Sequence, residues 1–417
     1  MLKTTIPQLP IELQLYILQL ATNVHRFLEI IPSADDTFSS GVDERTDVDS
    51  LIEDFFESLP TRRALPLVSR SFRALATPFL YACMLFDRVS TPRIYSSLTL
   101  DNTRLVHHVI VDLSAHYQTR SEHLVGLTFP HLYFVRILTV RGVWHAEGLL
   151  PYPLFSNADL AHTMASSFGP SLRKLELHRY GITLFYAAHL SIFTASLVKI
   201  EVLVVSVMPC LYKESNIPLA LPTSLPRLRY VRIGEAPLAL PAGIAPAHVH
   251  HPTLNLFPRV ITPSLTHLSL RLLDELPPKA YTSILSTALH LVSLTLTGSV
   301  GDVTRVLTDY PLPAFSRLIF GYVYEEDGNS GEKAKHTQVW VNAVGALGVK
   351  QPAVTVVSIL DDDFVGEIGR WVKDGMGVLE KYAFALEGRD GRGLVGRIHA
   401  TGVALQVPYE GEEEEIF

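Results

Sequence analysis

Cysteine is almost absent from this chain of 417 residues: only Cys83 and Cys210 occur, and there is no Asn-x-Ser/Thr sequon. Two thiols cannot staple a fold of this size. Together with the missing glycan acceptors, they fit a reducing compartment, cytoplasmic or nuclear. Long apolar runs are missing too. The most apolar stretch, Leu197 to Leu211, contains Lys199 and Glu201 and is too short to span a bilayer. The opening residues do not read as a secretory leader, because Pro7, Pro10 and Glu12 interrupt any apolar segment. Positive charge is not in excess either. The formal net charge is -7, and five glutamates between Glu410 and Glu415 carry most of it. The remainder offers no basic footprint for nucleic acid and no polybasic patch for a membrane, so neither is expected as a partner.

Catalytic signatures are equally scarce. The chain has no G-x-S-x-G elbow, no H-E-x-x-H pair and no G-x-x-x-x-G-K-[ST] loop. Gly391-Arg392-Gly393-Leu394-Val395-Gly396 matches G-x-G-x-x-G in letters, but too little chain follows it for a dinucleotide-binding sheet. The cluster of His248, His250 and His251 has no cysteine or carboxylate close by and reads as a surface loop. Asp361-Asp362-Asp363 lies between a strand and a helix, where it would cap the helix and complement its dipole. No cofactor, no metal site and no enzymatic activity are expected.

What is present is apolar patterning. With 47% hydrophobic and 18% charged residues, the chain can bury a large core. An apolar-x-x-apolar-x-apolar pattern recurs eight times between Val106 and Phe320, at intervals of 24 to 37 residues. Leu172/Leu175/Leu177, Leu265/Leu268/Leu270 and Leu291/Leu294/Leu296 are clear cases. Each match predicts a short strand with alternate residues turned inward. The pattern resembles leucine-rich repeats, in degenerate form because the usual turn asparagine is mostly missing. That resemblance implies a solenoid whose flanking positions, Glu176, Glu201, Tyr230, Arg232, His267 and Arg271, face a protein substrate.

The first hundred residues hold two further motifs. Leu9-Pro10-Ile11-Glu12-Leu13 opens an apolar helical run through Ile17 and Leu20. Leu65, Val68, Phe72, Leu75 and Phe79 recur at spacings of three and four, predicting a helix that starts at Pro66 and ends at Thr77-Pro78. Between them, a Ser/Asp/Gly-rich loop leads to an amphipathic helix from Val48 to Leu59, closed by Pro60. The Leu-Pro-x-Glu-Leu opening and the later Val68-Ser69-Arg70-Ser71-Phe72 segment together resemble the F-box of a group of fungal proteins. The two halves lie further apart than in a compact F-box, and Phe72 stands where Trp is usual. The resemblance implies docking to the Skp adaptor of a cullin-RING ubiquitin ligase through Leu9, Pro10, Leu13, Ile17, Val68 and Phe72.

The expected fold class is therefore α/β: an F-box-like helical module, an irregular leucine-rich-repeat solenoid or horseshoe, and a C-terminal α/β cap. The expected boundaries are 1–90 for the module, with an insertion at about 22–63, then 91–321 for the array. Residues 322–408 form the cap, and 409–417 an acidic tail. The expected function is that of a substrate-recognition subunit. A ligase-independent repeat scaffold is the alternative, and an unrecognised enzyme the third.

Overall fold

Pro10 stands just ahead of helix α1 (Ile11–Thr22), where its missing N–H is harmless, and its carbonyl accepts from the Gln14 N–H at 3.1 Å. A short helix, α2 (Val24–Phe27), follows. Helix α3 (Glu44–Val68) then runs for 25 residues. Spacing predicts closure at Pro60, yet the helix continues through both Pro60 and Pro66. For Pro60 the reason lies in the side it occupies, whereas Pro66 is itself buried. Val48, Ile52, Phe55 and Arg62 form one buried stripe, whereas Pro60 is exposed. The carbonyl that Pro60 leaves unpaired belongs to Phe56, also exposed, where water can replace the lost donor.

Ser69 makes the true break. Its backbone is extended (φ -161°, ψ 169°), and its Oγ accepts from the Phe72 N–H at 3.1 Å, capping helix α4 (Arg70–Tyr81). Val68 and Phe72, expected on one helix, thus sit on two. Helix α4 also passes through Pro78 instead of ending there; Pro78 and Ala74, whose carbonyl it leaves free, are both exposed.

The structure, a computed structural model, describes residues 9–22, 24–30, 44–87, 91–112, 128–141, 158–180, 184–207, 217–218, 221–235, 254–255, 262–271, 285, 288–298, 303, 305–307, 313–322, 356–359, 383–386 and 396–398. The chain divides into two compact units: Met1–Ile31 with Arg45–Ile200, and Pro32–Glu44 with Glu201–Phe417.

In the first unit, β1 (Cys83–Phe86), β2 (His108–Asp112), β3 (Ile137–Arg141) and β4 (Lys174–Tyr180) pair in sequence order, all parallel. Short helices α5 (Thr91–Ser97) and α6 (Leu100–Thr103) lie between β1 and β2. Helix α7 (Ala158–Ser167) precedes β4, and α8 (Leu184–Thr194) follows it and packs on α7. Both faces of this sheet carry buried apolar residues. On one face, Phe27, Val48, Ile52 and Phe55 cluster with Cys83, Leu85 and Ile110. On the other, Val109, Leu138 and Leu175 are buried in one row, and Val111, Val140 and Leu177 in the next. Phe86, Phe129, Phe168 and Phe193 form an edge-to-face series with ring centroids 5.5, 5.7 and 6.0 Å apart.

The second unit repeats the principle. Strands β5 (Val202–Val207), β7 (Tyr230–Glu235), β9 (His267–Arg271), β10 (Ser293–Gly298), β11 (Arg317–Tyr322), β12 (Val356–Ile359) and β13 (Ala383–Leu386) are parallel neighbours. The edge strand β14 (Gly396–Ile398) is antiparallel to β13. Strands β6 (Ile217–Pro218) and β8 (Leu254–Asn255) form a separate parallel pair. Leu268 and Leu294 are buried opposite one another in β9 and β10.

This architecture corrects the expected fold class. The chain is an α/β protein built on parallel sheet, not a helical module followed by a leucine-rich-repeat horseshoe and a cap. A repeated apolar spacing specifies buried parallel strands and says nothing of what covers them. Here the inserted helix α3 lies on the sheet as part of its core, on the face that a horseshoe would leave open. The apolar matches are also unequally spaced, at intervals of 24 to 37 residues, so the strands do not recur at a constant length. Strands β12 and β13 extend the second unit's parallel ladder where a cap was expected.

One backbone position in the first unit admits no side chain. A Cβ on Gly169, in the turn before β4, would lie 2.0 Å from Ser196 Oγ and 2.9 Å from Ser196 Cβ. Gly169→Ala is expected to cost about 1–3 kcal/mol, the usual range for overpacking. Pairing it with Ser196→Gly should recover most of that loss. Urea denaturation of both variants checks this; equal loss in the double variant would refute the close approach as the cause.

Candidate functional site

Two sets of residues attract attention, one apolar and one polar. Helix α1 packs on α4, which brings the two sequence motifs together. Only Leu18 and Thr22 of α1 are buried. Leu9 and Pro10 just ahead of it, and Leu13 and Ile17 on it, are exposed, as are Ile11, Tyr16 and Leu20. Val68, at the end of α3, is 64% exposed, and Phe72 is half-buried. An ordered helix with most of its large apolar side chains in water is unusual for an isolated chain.

The polar set lies on the sheet face that α3 only partly covers. Across β2, β3 and β4 one row reads Ile110, Thr139, Glu176, and the next reads Asp112, Arg141, His178. Arg141 joins three elements: its Nη2 is 2.6 Å from Asp49 Oδ1 of α3, and its Nη1 is 3.5 Å from Asp112 Oδ2 of β2. Lys174 Nζ lies 3.0 Å from Glu176 Oε1, and His178 Nε2 is 3.9 Å from Glu176 Oε2. Burial opposes ionisation of Glu176. Lys174, His178 and the Thr139 hydroxyl outweigh that penalty and hold its carboxyl well below the usual range.

His108 anchors the other end of this network. Its Nδ1 is 2.7 Å from the Phe27 carbonyl, which can only accept, so Nδ1 carries the proton. Its Nε2 lies 3.0 Å from Thr139 Oγ1, which in turn donates to Glu176 Oε2 at 2.8 Å. One hydroxyl proton thus faces two acceptors, and the carboxylate is the stronger. Burial lowers the His108 pKa to about 4, against a smaller opposing pull from Glu176. His178 Nδ1 is buried and makes no hydrogen bond, so this ring has bonding capacity to spare.

The other expected substrate-facing residues fall in the second unit. Glu201 is buried, and its carbonyl accepts from the Arg229 and Tyr230 amides at 2.8 and 3.1 Å. Tyr230 is buried and stacks on His267 with centroids 6.4 Å apart. Arg232 is half-buried opposite Ser269. Arg271 closes β9, and its side chain lies outside the described residues. The His248, His250 and His251 cluster, Asp361 to Asp363, Cys210 and the glycine-rich segment before Gly396 also lie outside the described residues. Among the described residues, no helix is long and apolar enough to cross a membrane.

Sequence reasoning passed over His108, Thr139 and Arg62. His108 and Thr139 sit inside apolar strands, where a lone polar residue at an inward position is the available signal. Cys83 is wholly buried, and burial pushes its thiol up to about 12, so it stays protonated and unreactive near neutral pH.

The sign of the pH dependence follows. The His108 pKa falls from 6.5 unfolded to about 4 folded, so its contribution is full above 6.5 and is lost as pH falls through 4. Glu176, also depressed, contributes above the ordinary carboxylate pKa and loses that contribution in more acidic solution. Between pH 7 and pH 4, His108 alone accounts for a loss of ~3 kcal/mol at 1.36 kcal/mol per pKa unit. His108→Gln cannot titrate and should flatten this slope. Urea midpoints at several pH values read it; an unchanged slope would rule out His108 as its source.

Neither a scan against protein-family models nor a search of curated proteins finds a match to this chain.

Proposed function

We propose that this protein is a non-catalytic substrate-recognition subunit of a cullin-RING ubiquitin ligase, acting in the cytoplasm or nucleus. In this reading, Leu9, Pro10, Leu13, Ile17, Val68 and Phe72 dock on a Skp-type adaptor, and the polar sheet surfaces meet a protein substrate. The observation that carries it is the exposed apolar side of α1, held on α4 beside the end of α3. These are the residues through which the F-box resemblance implies docking, and leaving them in water is costly unless a partner covers them. Glu176, Tyr230 and His267 fit a recognition surface better than a reaction centre, because each already has a partner on the sheet.

The inserted helix α3 favours a second reading, a scaffold that never meets a ligase. The insertion is integrated into the sheet core instead of looping out of a compact adaptor-binding motif.

Adaptor capture separates the two. Purified full-length protein is expected to bind a Skp-type adaptor at micromolar concentration, and Val68→Asp to abolish binding. A carboxylate left unpaired in an apolar interface costs several kcal/mol. Val68 is exposed, so the substitution leaves the free protein folded, which circular dichroism checks. No adaptor binding by the wild type would end the ligase reading and leave the scaffold.

A further inference from the structure

We propose that the N-terminal edge of the first unit's sheet is a docking surface for an acidic protein segment that also carries an apolar anchor. One residue ahead of the strands, the backbone forms an extra lateral row. The His107 amide donates to the Ala82 carbonyl at 3.0 Å, Arg136 to His107 at 2.8 Å, and Arg173 to Arg136 at 2.8 Å. His107, Arg136 and Arg173 therefore stand side by side at strand spacing, ~4.8 Å apart. Arg136 is exposed and forms no ion pair among the described residues.

The turn preceding β3 lies beside this row. Tyr133 and Phe134 are adjacent, and each is more than half exposed. They are not loosely held. Ser171 Oγ donates to the Val135 carbonyl at 2.9 Å and to the Tyr133 carbonyl at 3.3 Å, from the β4 side. From the β2 side, His107 Nδ1 is 3.2 Å from the Phe134 carbonyl. Leu132 and Val135 are buried on either side of the pair. The backbone of this turn is thus held before any partner arrives, and binding there orders little main chain that is not ordered already. Tyrosine, phenylalanine and arginine together are the composition of interface centres, not of ordinary solvated edges, which favour lysine and glutamate.

A protein segment suits this surface better than a nucleic acid. Arg136 can pair with a carboxylate, and one exposed arginine offers no extended basic track for a long polyanion. The surface uses none of the residues of α1, α3 or α4 and stands whether or not the chain binds an adaptor.

The test uses the purified full-length protein and fluorescence anisotropy. The probe is a labelled peptide rich in Asp and Glu and carrying one Leu and one Phe. Controls are the same peptide with Gln for each acid, and labelled oligouridine. The acidic peptide is expected to bind, more weakly as salt rises, while the Gln peptide binds poorly. Arg136→Glu, and separately Tyr133→Ala with Phe134→Ala, should each weaken binding about ten-fold or more, as interface centres do. Val68→Asp should leave it unchanged. Thermal midpoints establish that the variants are folded, with Arg136→Gln as a milder substitute. Absence of acidic-peptide binding, wild-type affinity in Arg136→Glu, or preference for oligouridine would each overturn the proposal.

Discussion

Equal register between parallel strands is the constraint on which the rest of the first unit depends. Because each strand starts level with its neighbour, alternate residues line up in rows across the sheet. The rows Val109–Leu138–Leu175 and Val111–Val140–Leu177 are apolar and buried throughout. The intervening rows begin apolar, at Cys83 and Leu85, and turn polar by Thr139 and Glu176. A slip of one residue would exchange the two sets and turn Glu176 toward the phenylalanine series. There it would lose the Thr139 hydroxyl on β3, while Lys174 and His178, on the same side of β4, would be carried with it into the apolar side. The ionic row therefore helps to fix the register that the leucines alone would leave less certain.

The change from apolar to polar along those rows also decides where α3 can lie. It covers the sheet where the rows read Cys83, Leu85 and Ile110, and its charged edge meets Arg141 through Asp49. Near its other end, Arg62 is wholly buried, with its guanidinium 4.4 Å from the Phe55 ring centroid and 5.5 Å from that of Phe27. It donates to the carbonyls of Phe55 and Cys83 at 3.3 and 3.4 Å. Burial depresses its pKa, with a smaller opposing pull from Cys83. A buried cation held by ring faces and carbonyls contributes little net stability. Its effect is positional, since it ties the helix to β1 at a point where apolar contacts alone would let it slide.

The strands were legible in sequence because their signal is local. Leu175, Leu268 and Leu294 are buried strand residues, as the apolar spacing requires. The coverage of the sheet was not legible, because nothing local marks which distant segment lies on a strand face. Val48, Ile52 and Phe55 form an amphipathic stripe that would serve equally in a separate helical bundle. Pro60 and Pro78 misled for a related reason. At Pro60 and Pro78 the freed carbonyls belong to exposed residues, Phe56 and Ala74, a tertiary fact that the local sequence does not give. Ser69 was the better signal, since a serine three residues before Phe72 can cap a helix without any tertiary help. His108 was missed because its partner, the Phe27 carbonyl, lies 81 residues away.

The two exposed surfaces of the first unit differ in what would hold a partner there. The exposed large side chains of α1 are mostly aliphatic, with Tyr16 among them, so association there would be driven mainly by area removed from water. The sheet edge offers arginine beside exposed aromatic rings, so association there would be quicker to form and more sensitive to ionic strength. Surfaces with such different drives can be occupied independently, because screening one leaves the other intact. The polar network of Glu176, Lys174 and His178 lies further along the same strands, beyond the row of His107, Arg136 and Arg173. Its charges are already compensated within the sheet, whereas Arg136 forms no ion pair among the described residues, so an incoming carboxylate gains more at the edge than on the face.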